Sequence, residues 1–114
     1  MQVVHCKREP STVYIGRGSD MGNPFTHLPL SKTKAYVQVL CVADAVSYCE
    51  NWARGSTTWD HVIPPAVRTK FLAKLKTLRE TDVLGCFCRP MHECHGDIIA
   101  VLHAEYRAGT FIIP

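Results

Sequence analysis

Asp82-Val-Leu-Gly-Cys-Phe-Cys-Arg-Pro-Met-His-Glu-Cys-His-Gly-Asp97 contains the change of hydrophobic period that decides the fold. Val83, Leu84, Cys86, Phe87 and Cys88 make an apolar run too short for a helix and rich enough for a buried strand. Arg89-Pro90 ends it. After Cys94-His95-Gly96-Asp97, the residues Ile98, Ile99, Val101, Leu102, Ala104 and Tyr106 recur at helical spacing. The stretch therefore reads as strand, polar loop and helix. In an open α/β sheet, ligands bind at such a junction, where a strand ends and a helix begins.

Two further short runs precede it, Gln2 to Lys7 and Thr12 to Ile15, rich in Val, His, Tyr and Ile and separated by a turn. The second leads directly into Gly16-Arg-Gly-Ser-Asp-Met-Gly-Asn-Pro-Phe25. Three glycines and a proline in this loop leave backbone amides bare, which suits an anion, or else make a plain tight connection. Arg17 adds a planar donor fork, and Asn23 a donor and an acceptor on one side chain. The loop matches neither the dinucleotide fingerprint nor the Walker A pattern, and no cofactor is expected.

Farther along, Ser31 is a suitable N-cap for a long helix carrying Tyr36, Val39, Leu40, Ala43, Val46, Cys49, Trp52 and Ala53 inward and closed by Gly55. Trp59, in a polar connection, reads either as a ligand-stacking ring or, by preference, as part of a loop tucked onto the core. Pro64-Pro65 opens another helix, with Val67, Phe71, Leu72, Leu75 and Leu78 inward. Arg68, Lys70, Lys74, Lys76 and Arg79 read as its solvated face. The last helix ends at Gly109, and Thr110 to Pro114 form an edge strand or a packed tail. Alternating strands and helices point to an α/β fold: a small, three-layer, Rossmann-like domain over 1–114 with a short, mainly parallel sheet. Strands Val13 to Ile15 and Val83 to Cys88 are expected to be parallel neighbours, bringing both polar loops to one end.

A chain of 114 residues with 20% charged and 46% hydrophobic residues is one ordinary folded domain. A net charge of +3 favours an anionic ligand but falls short of a nucleic-acid-binding composition. No run is long enough to span a bilayer, and the N-terminus lacks the layout of a signal peptide, so a cytoplasmic protein is expected. The six cysteines are then read as reduced, with Cys41 and Cys49 as small core residues.

Cys86, Cys88, Cys94 and His95 permit three readings. They supply a nominal zinc set, although a Cys-x-Cys pair on a strand is not the usual knuckle. Cys94 at a helix N-terminus, with His95 or His92 beside it, also suits a reactive thiol. The reading preferred here makes Cys94 a small buried residue and His95 and Asp97 polar contacts to a ligand, with the helix amides binding an anion and no metal.

Tyr14-Ile-Gly-Arg-Gly-Ser19 with Gly22-Asn-Pro-Phe25, and Leu84-Gly-Cys-Phe-Cys-Arg-Pro90 with Cys94-His-Gly-Asp97, together resemble a family of small bacterial and phage-encoded proteins known as a domain of unknown function. The resemblance spans nearly the whole chain. It implies a compact Rossmann-like domain with both motifs at one end of the sheet, and host cytoplasm for a phage-encoded member. The Cys-His helix start is also similar to a second uncharacterised family whose helix begins Cys-His-Arg; Gly96 stands where that arginine would be.

The expected function is binding of a small anionic ligand such as a nucleotide or nucleotide-derived molecule, with hydrolysis or glycosyl transfer as candidate chemistry. The ligand-binding residues are Gly16, Arg17, Gly18, Ser19, Asn23, Arg89, Cys94, His95 and Gly96; Asp97 and His95 are the candidate acid and base. Asp20 and Glu93 are the other carboxylates in these loops. The alternatives are a non-enzymatic, phage-type sequestering or protein-inhibiting module and a small structural zinc domain. Neither membrane nor nucleic acid is an expected partner, and the chain is read as a monomer or homodimer.

Overall fold

The computed structural model describes residues 1–87 and 93–114. It is a mixed α/β domain with parallel strand pairs, as the alternation of periods predicts. Among the described residues, five strands, β1 (Gln2–His5), β2 (Val13–Tyr14), β3 (Phe25–Thr26), β4 (Val37–Gln38) and β5 (Val83–Cys86), are joined by three α-helices. These are α1 (Val42–Ala53) between β4 and α2 (Pro65–Thr77), and α3 (His95–Ala108) after β5. The main sheet has the order β1-β5-β2 and is parallel throughout, with Val3 opposite Leu84 and Tyr14 opposite Gly85. The expected pairing of the second and fifth strands is therefore present.

The connection between the two outer strands is unusual in its economy. A parallel crossover normally takes a dozen or more residues. Here 6–12 carry the chain from the end of β1, where the Cys6 amide donates to Cys86 O at 2.9 Å, back to the start of β2, where the Thr12 amide donates to Val83 O at 2.9 Å. This short strap crosses the middle strand at Gly85. A Cβ there would overlap the Ser11 side chain and come within 3.1 Å of Cys6 Cβ. Glycine is needed so that the strap can lie on the sheet.

The α3 helix packs against β1 and β5, and α1 and α2 each pack against α3. Ile15, Leu84, Ile99, Leu102, Phe71 and Leu75 are buried between them. Trp52 of α1 meets Phe71 of α2 edge-on at 5.3 Å. Trp59 folds inward against Phe25 at 4.8 Å, as a core-covering loop residue should. Cys49 is fully enclosed, and burial pushes its thiol up to about 12, as for an inert core cysteine. Arg54 holds α1 to α3 by a paired contact with Glu105, both N···O distances being 2.9 Å.

The first long helix is shorter than its periodicity suggests. Ser31 lies in a single 3-10 turn (Leu30–Lys32), and α1 begins only after Cys41. Tyr36 to Leu40 instead alternates exposed and half-buried, the period of a strand, and Leu40 is 95% exposed. The amides of Tyr36 and Val37 donate to Pro24 O, and that of Val39 to Thr26 O, so β4 is clamped along β3. Of the expected inward set, Cys49, Trp52 and Ala53 are buried, whereas Tyr36, Leu40 and Ala43 are exposed. Arg68 also departs from the solvated face assigned to it. Its Nε donates to Trp52 O at 2.8 Å and its Nη2 to Ser56 O, satisfying carbonyls at the end of α1. The last five residues form no strand; Phe111 and Ile113 pack against the core as a tail. Among the described residues, no helix is long and apolar enough to cross a membrane.

Gly96 sets the closest approach of α3 to the sheet. A Cβ on it would lie 2.7 Å from Val3 Cγ1 and 2.9 Å from Ile15 Cδ1. Gly96→Val is expected to overpack this contact and lower stability by about 1–3 kcal/mol, read as a reduced midpoint in urea unfolding. An unchanged midpoint would show that the helix can lift from the sheet without cost.

Candidate functional site

The ends of β2 and β5, the glycine loop and the start of α3 meet at one edge of the sheet. His95 joins them. Its ring is buried, and Nε2 lies 2.8 Å from Ile15 O and 3.0 Å from Met21 O. Two carbonyl acceptors require the proton on Nε2, so in the neutral ring Nδ1 carries the lone pair. Nδ1 faces the Cys94 sulfur at 3.8 Å. Burial lowers the His95 pKa, outweighing the two carbonyl bonds, which act in the opposite direction.

The loop that His95 grips is itself braced. Arg17 Nη1 donates to Asn23 O at 2.9 Å. The Asn23 side chain then reaches both ways, Nδ2 donating to Ala45 O at 3.1 Å and Oδ1 accepting from the Phe25 amide at 2.9 Å. Asn23 thus ties the loop to α1, a packing role that the sequence did not disclose. Ser19 Oγ donates back to Gly16 O at 2.6 Å, and Gly18 takes a positive φ of 88°.

These contacts leave two adjoining hollows. The first, a cavity of about 140 Å³, is lined by Gly16, Arg17, Asn23 and His95 from the predicted set. Phe25, Thr26 and His27 of β3 and its exit, Val42, Ala45 and Val46 of α1, and Cys86, Phe87 and Glu93 complete its walls. The α1 contribution was missed because its apolar residues are indistinguishable in sequence from core. The second, a groove of about 260 Å³, is lined by Arg17, Gly18, Ser19, Asp20, Gly22, Asn23, Pro24, Lys34, Tyr36, Val67 and Lys70. Arg17 and Asn23 border both. Lys34 and Lys70 entered from segments that the sequence reading had given to helices; the Lys34 ammonium reaches to 3.5 Å from where a Cβ on Gly18 would sit.

The remaining predicted residues are placed elsewhere. Cys94 is buried and caps α3, its Sγ accepting from the Gly96 amide at 3.3 Å. Gly96 is a packing glycine against Val3 and Ile15. Asp97 lies in the first turn of α3, half-buried and outside the walls of both hollows, whereas Glu93 and Asp20 each line one. Arg89, Cys88 and His92 lie outside the described residues. Of the nominal zinc set, Cys86 and Cys94 touch, with their sulfurs 2.9 Å apart, while His95 turns Nε2 to the carbonyls. Among the described residues no three such groups converge as metal ligands.

Residues 2–105 match the family described as Domain of unknown function (DUF4326). The chain belongs to that family. No curated protein and no solved structure matches it. In this DUF4326 domain, the GRGS and GNPF segments form the braced loop, and the CHGD segment supplies its histidine anchor.

His95 makes the loop sensitive to acid. Its folded pKa lies below the unfolded value of 6.5, so the unfolded chain binds the proton more readily. The stability that the neutral ring contributes is complete above pH 6.5 and is lost as pH falls below that value toward the lowered folded pKa. Thermal melts between pH 7.5 and 5 should show a falling Tm in the native protein. The slope should be shallower in His95→Gln, which keeps an N–H donor and does not titrate. Equal slopes would remove His95 as the source.

Proposed function

We propose that this DUF4326 domain binds a small ligand with a planar apolar part and an anionic part, of the nucleotide class. The observation that carries this reading is the position of Arg17 at the border of two hollows of opposite character. On one side Phe25, Val42, Val46 and Phe87 provide apolar walls, suited to a base or another flat ring. On the other, Lys34 and Lys70 join Arg17 against, among the described residues, the single acidic residue Asp20, beside Gly18 and Ser19. Ammonium and guanidinium groups supply charge-assisted hydrogen bonds to phosphate oxygens. Arg17 has a second role in this reading, since its bond to Asn23 O also shapes the loop.

A thermal-shift panel of nucleosides and their mono- and diphosphates tests the proposal. A ligand present at a hundred times its dissociation constant adds about 2.7 kcal/mol of stability. Lys34→Ala and Lys70→Ala, both on exposed residues, should change the stability of the free protein by no more than about 0.5 kcal/mol. Each should weaken a phosphate-bearing ligand by about 1.5–3 kcal/mol, the range for a hydrogen bond to a charged group, and leave the parent nucleoside unaffected. Arg17→Ala should weaken the ligand and lower the Tm together. Stabilisation by no member of the panel would sink the nucleotide reading.

Glu93 favours a catalytic variant of the same function, because it is an acidic residue that lines the apolar cavity. A carboxylate in that position can act as a general base toward water or a second acceptor in hydrolysis or glycosyl transfer. Glu93→Gln should then retain binding and abolish product formation. Binding without any turnover in the native protein would leave a sequestering module.

A further inference from the structure

We propose that Cys86 and Cys94 are a reversible dithiol–disulfide pair, with Cys86 the thiol that meets the oxidant through the cavity and Cys94 the thiol that resolves it. The two sulfurs, eight positions apart in sequence, are held 2.9 Å from one another by rigid elements, Cys86 by the end of the central strand β5 and Cys94 by the first turn of α3. Their surroundings differ in a useful way. Both are buried, at 1% and 0% exposure, but Cys86 lines the wall of the 140 Å³ cavity and Cys94 does not. A hydroperoxide is small enough to enter a space of that size; a bulky protein disulfide is not. Behind Cys86, the Cys94 sulfur lies beside the lone pair of His95 Nδ1 at 3.8 Å and accepts the Gly96 amide at 3.3 Å. The helix N-terminus favours negative charge on the sulfur.

The chemistry is a two-electron oxidation of the pair by hydrogen peroxide or a small organic hydroperoxide. Cys86 sulfur attacks the peroxide, forming an S–O bond as the O–O bond breaks, and the Cys86 thiol proton passes to the departing oxygen, which leaves as water or alcohol. Cys94 sulfur then attacks the Cys86 sulfenic acid, forming the S–S bond as the S–O bond breaks, and a second water leaves with the Cys94 proton. A thiol reductant reverses the bridge by disulfide exchange, returning both protons to the pair.

Two other cysteines compete for Cys86. Cys6, the residue after the adjoining strand β1, is its neighbour through the hydrogen bond that the Cys6 amide donates to Cys86 O, and Cys88 follows two residues later in the sequence. The test must therefore map the partner. The reduced, full-length protein is treated with hydrogen peroxide under native conditions, unfolded, alkylated and cleaved after glutamate. Cleavage after Glu80, Glu93 and Glu105 places Cys86 and Cys88 in one peptide and Cys94 in another. The expected product is a cross-linked pair of these peptides in which Cys88 is alkylated and Cys86 is not, and it should disappear on reduction with dithiothreitol. In Cys94→Ser the resolving thiol is gone, and a dimedone adduct should accumulate on Cys86. A bridge from Cys86 to Cys6 or Cys88, or full alkylation of Cys86 and Cys94 after peroxide, would overturn the assignment. The mapping of the native protein decides the matter even where the serine variant does not fold.

Discussion

The imidazole of His95, spanning Ile15 O and Met21 O, is the contact on which the arrangement of the sheet edge depends. It fixes the first residue of α3 to the last residue before the glycine loop and to a residue in the middle of that loop. Those carbonyls are buried, and a buried carbonyl without a donor costs about 1–3 kcal/mol. One ring nitrogen serves both. Because the same ring lines the cavity, the residue that closes the fold at this edge also helps to shape the hollow. A charged imidazolium would remain a donor at Nε2, but it would lose the lone pair at Nδ1 and bring a buried charge beside the Cys94 sulfur. Burial, which penalises the charged ring, is what lowers the His95 pKa.

Close packing around this anchor explains two glycines that the motifs contain. Gly85 lets the strap over 6–12 cross the middle strand, and Gly96 lets α3 approach Val3 and Ile15. The two sit on neighbouring elements, on β5 and in the first turn of α3. With the strap pressed against Gly85 and the helix against Gly96, the end of β5 and the start of α3 are held together. Their sulfurs consequently touch. The contact between Cys86 and Cys94 is thus a product of backbone approach on both elements, with no side-chain rearrangement required.

The parts of this fold that could be read from sequence are those where one period dominates. The run that begins at Val83 and the stripe from Ile98 to Tyr106 are legible as strand and helix, as is the inward set of Phe71, Leu75 and Leu78, although β5 ends at Cys86 and leaves Phe87 exposed rather than buried in the strand. From Ser31 to Trp52, by contrast, apolar residues at three- and four-residue intervals overlap with the strict alternation Tyr36-Val37-Gln38-Val39-Leu40. Tertiary pairing with Phe25–Thr26 decides in favour of the strand. Within the site, Arg17 and His95 were accessible because chemistry-bearing residues in glycine loops or at helix starts stand out. Lys34, Lys70 and the α1 wall were not, since they reach the site from other segments of the chain whose own patterns describe only a helix or a solvated face. Asn23 was visible as a polar group, but only the positions of Ala45 O and the Phe25 amide reveal that it joins loop to helix.

The division of the site into an apolar cavity and a basic groove follows from how the loop is braced. Arg17 folds back to Asn23 O, and Asn23 in turn bonds to Ala45 O, so the guanidinium lies on the ridge between the two spaces. On the β5 side of that ridge the walls come from strand ends and from α1, elements that also supply the core, and are therefore apolar. On the opposite side they come from the outer loop and from α2, whose exposed face carries Lys70. Hydrophobic wall and cationic wall are thus the inner and outer faces of one loop. A ligand that satisfied both would have to cross the ridge at Arg17, which places the residue where flat and anionic portions of such a molecule join.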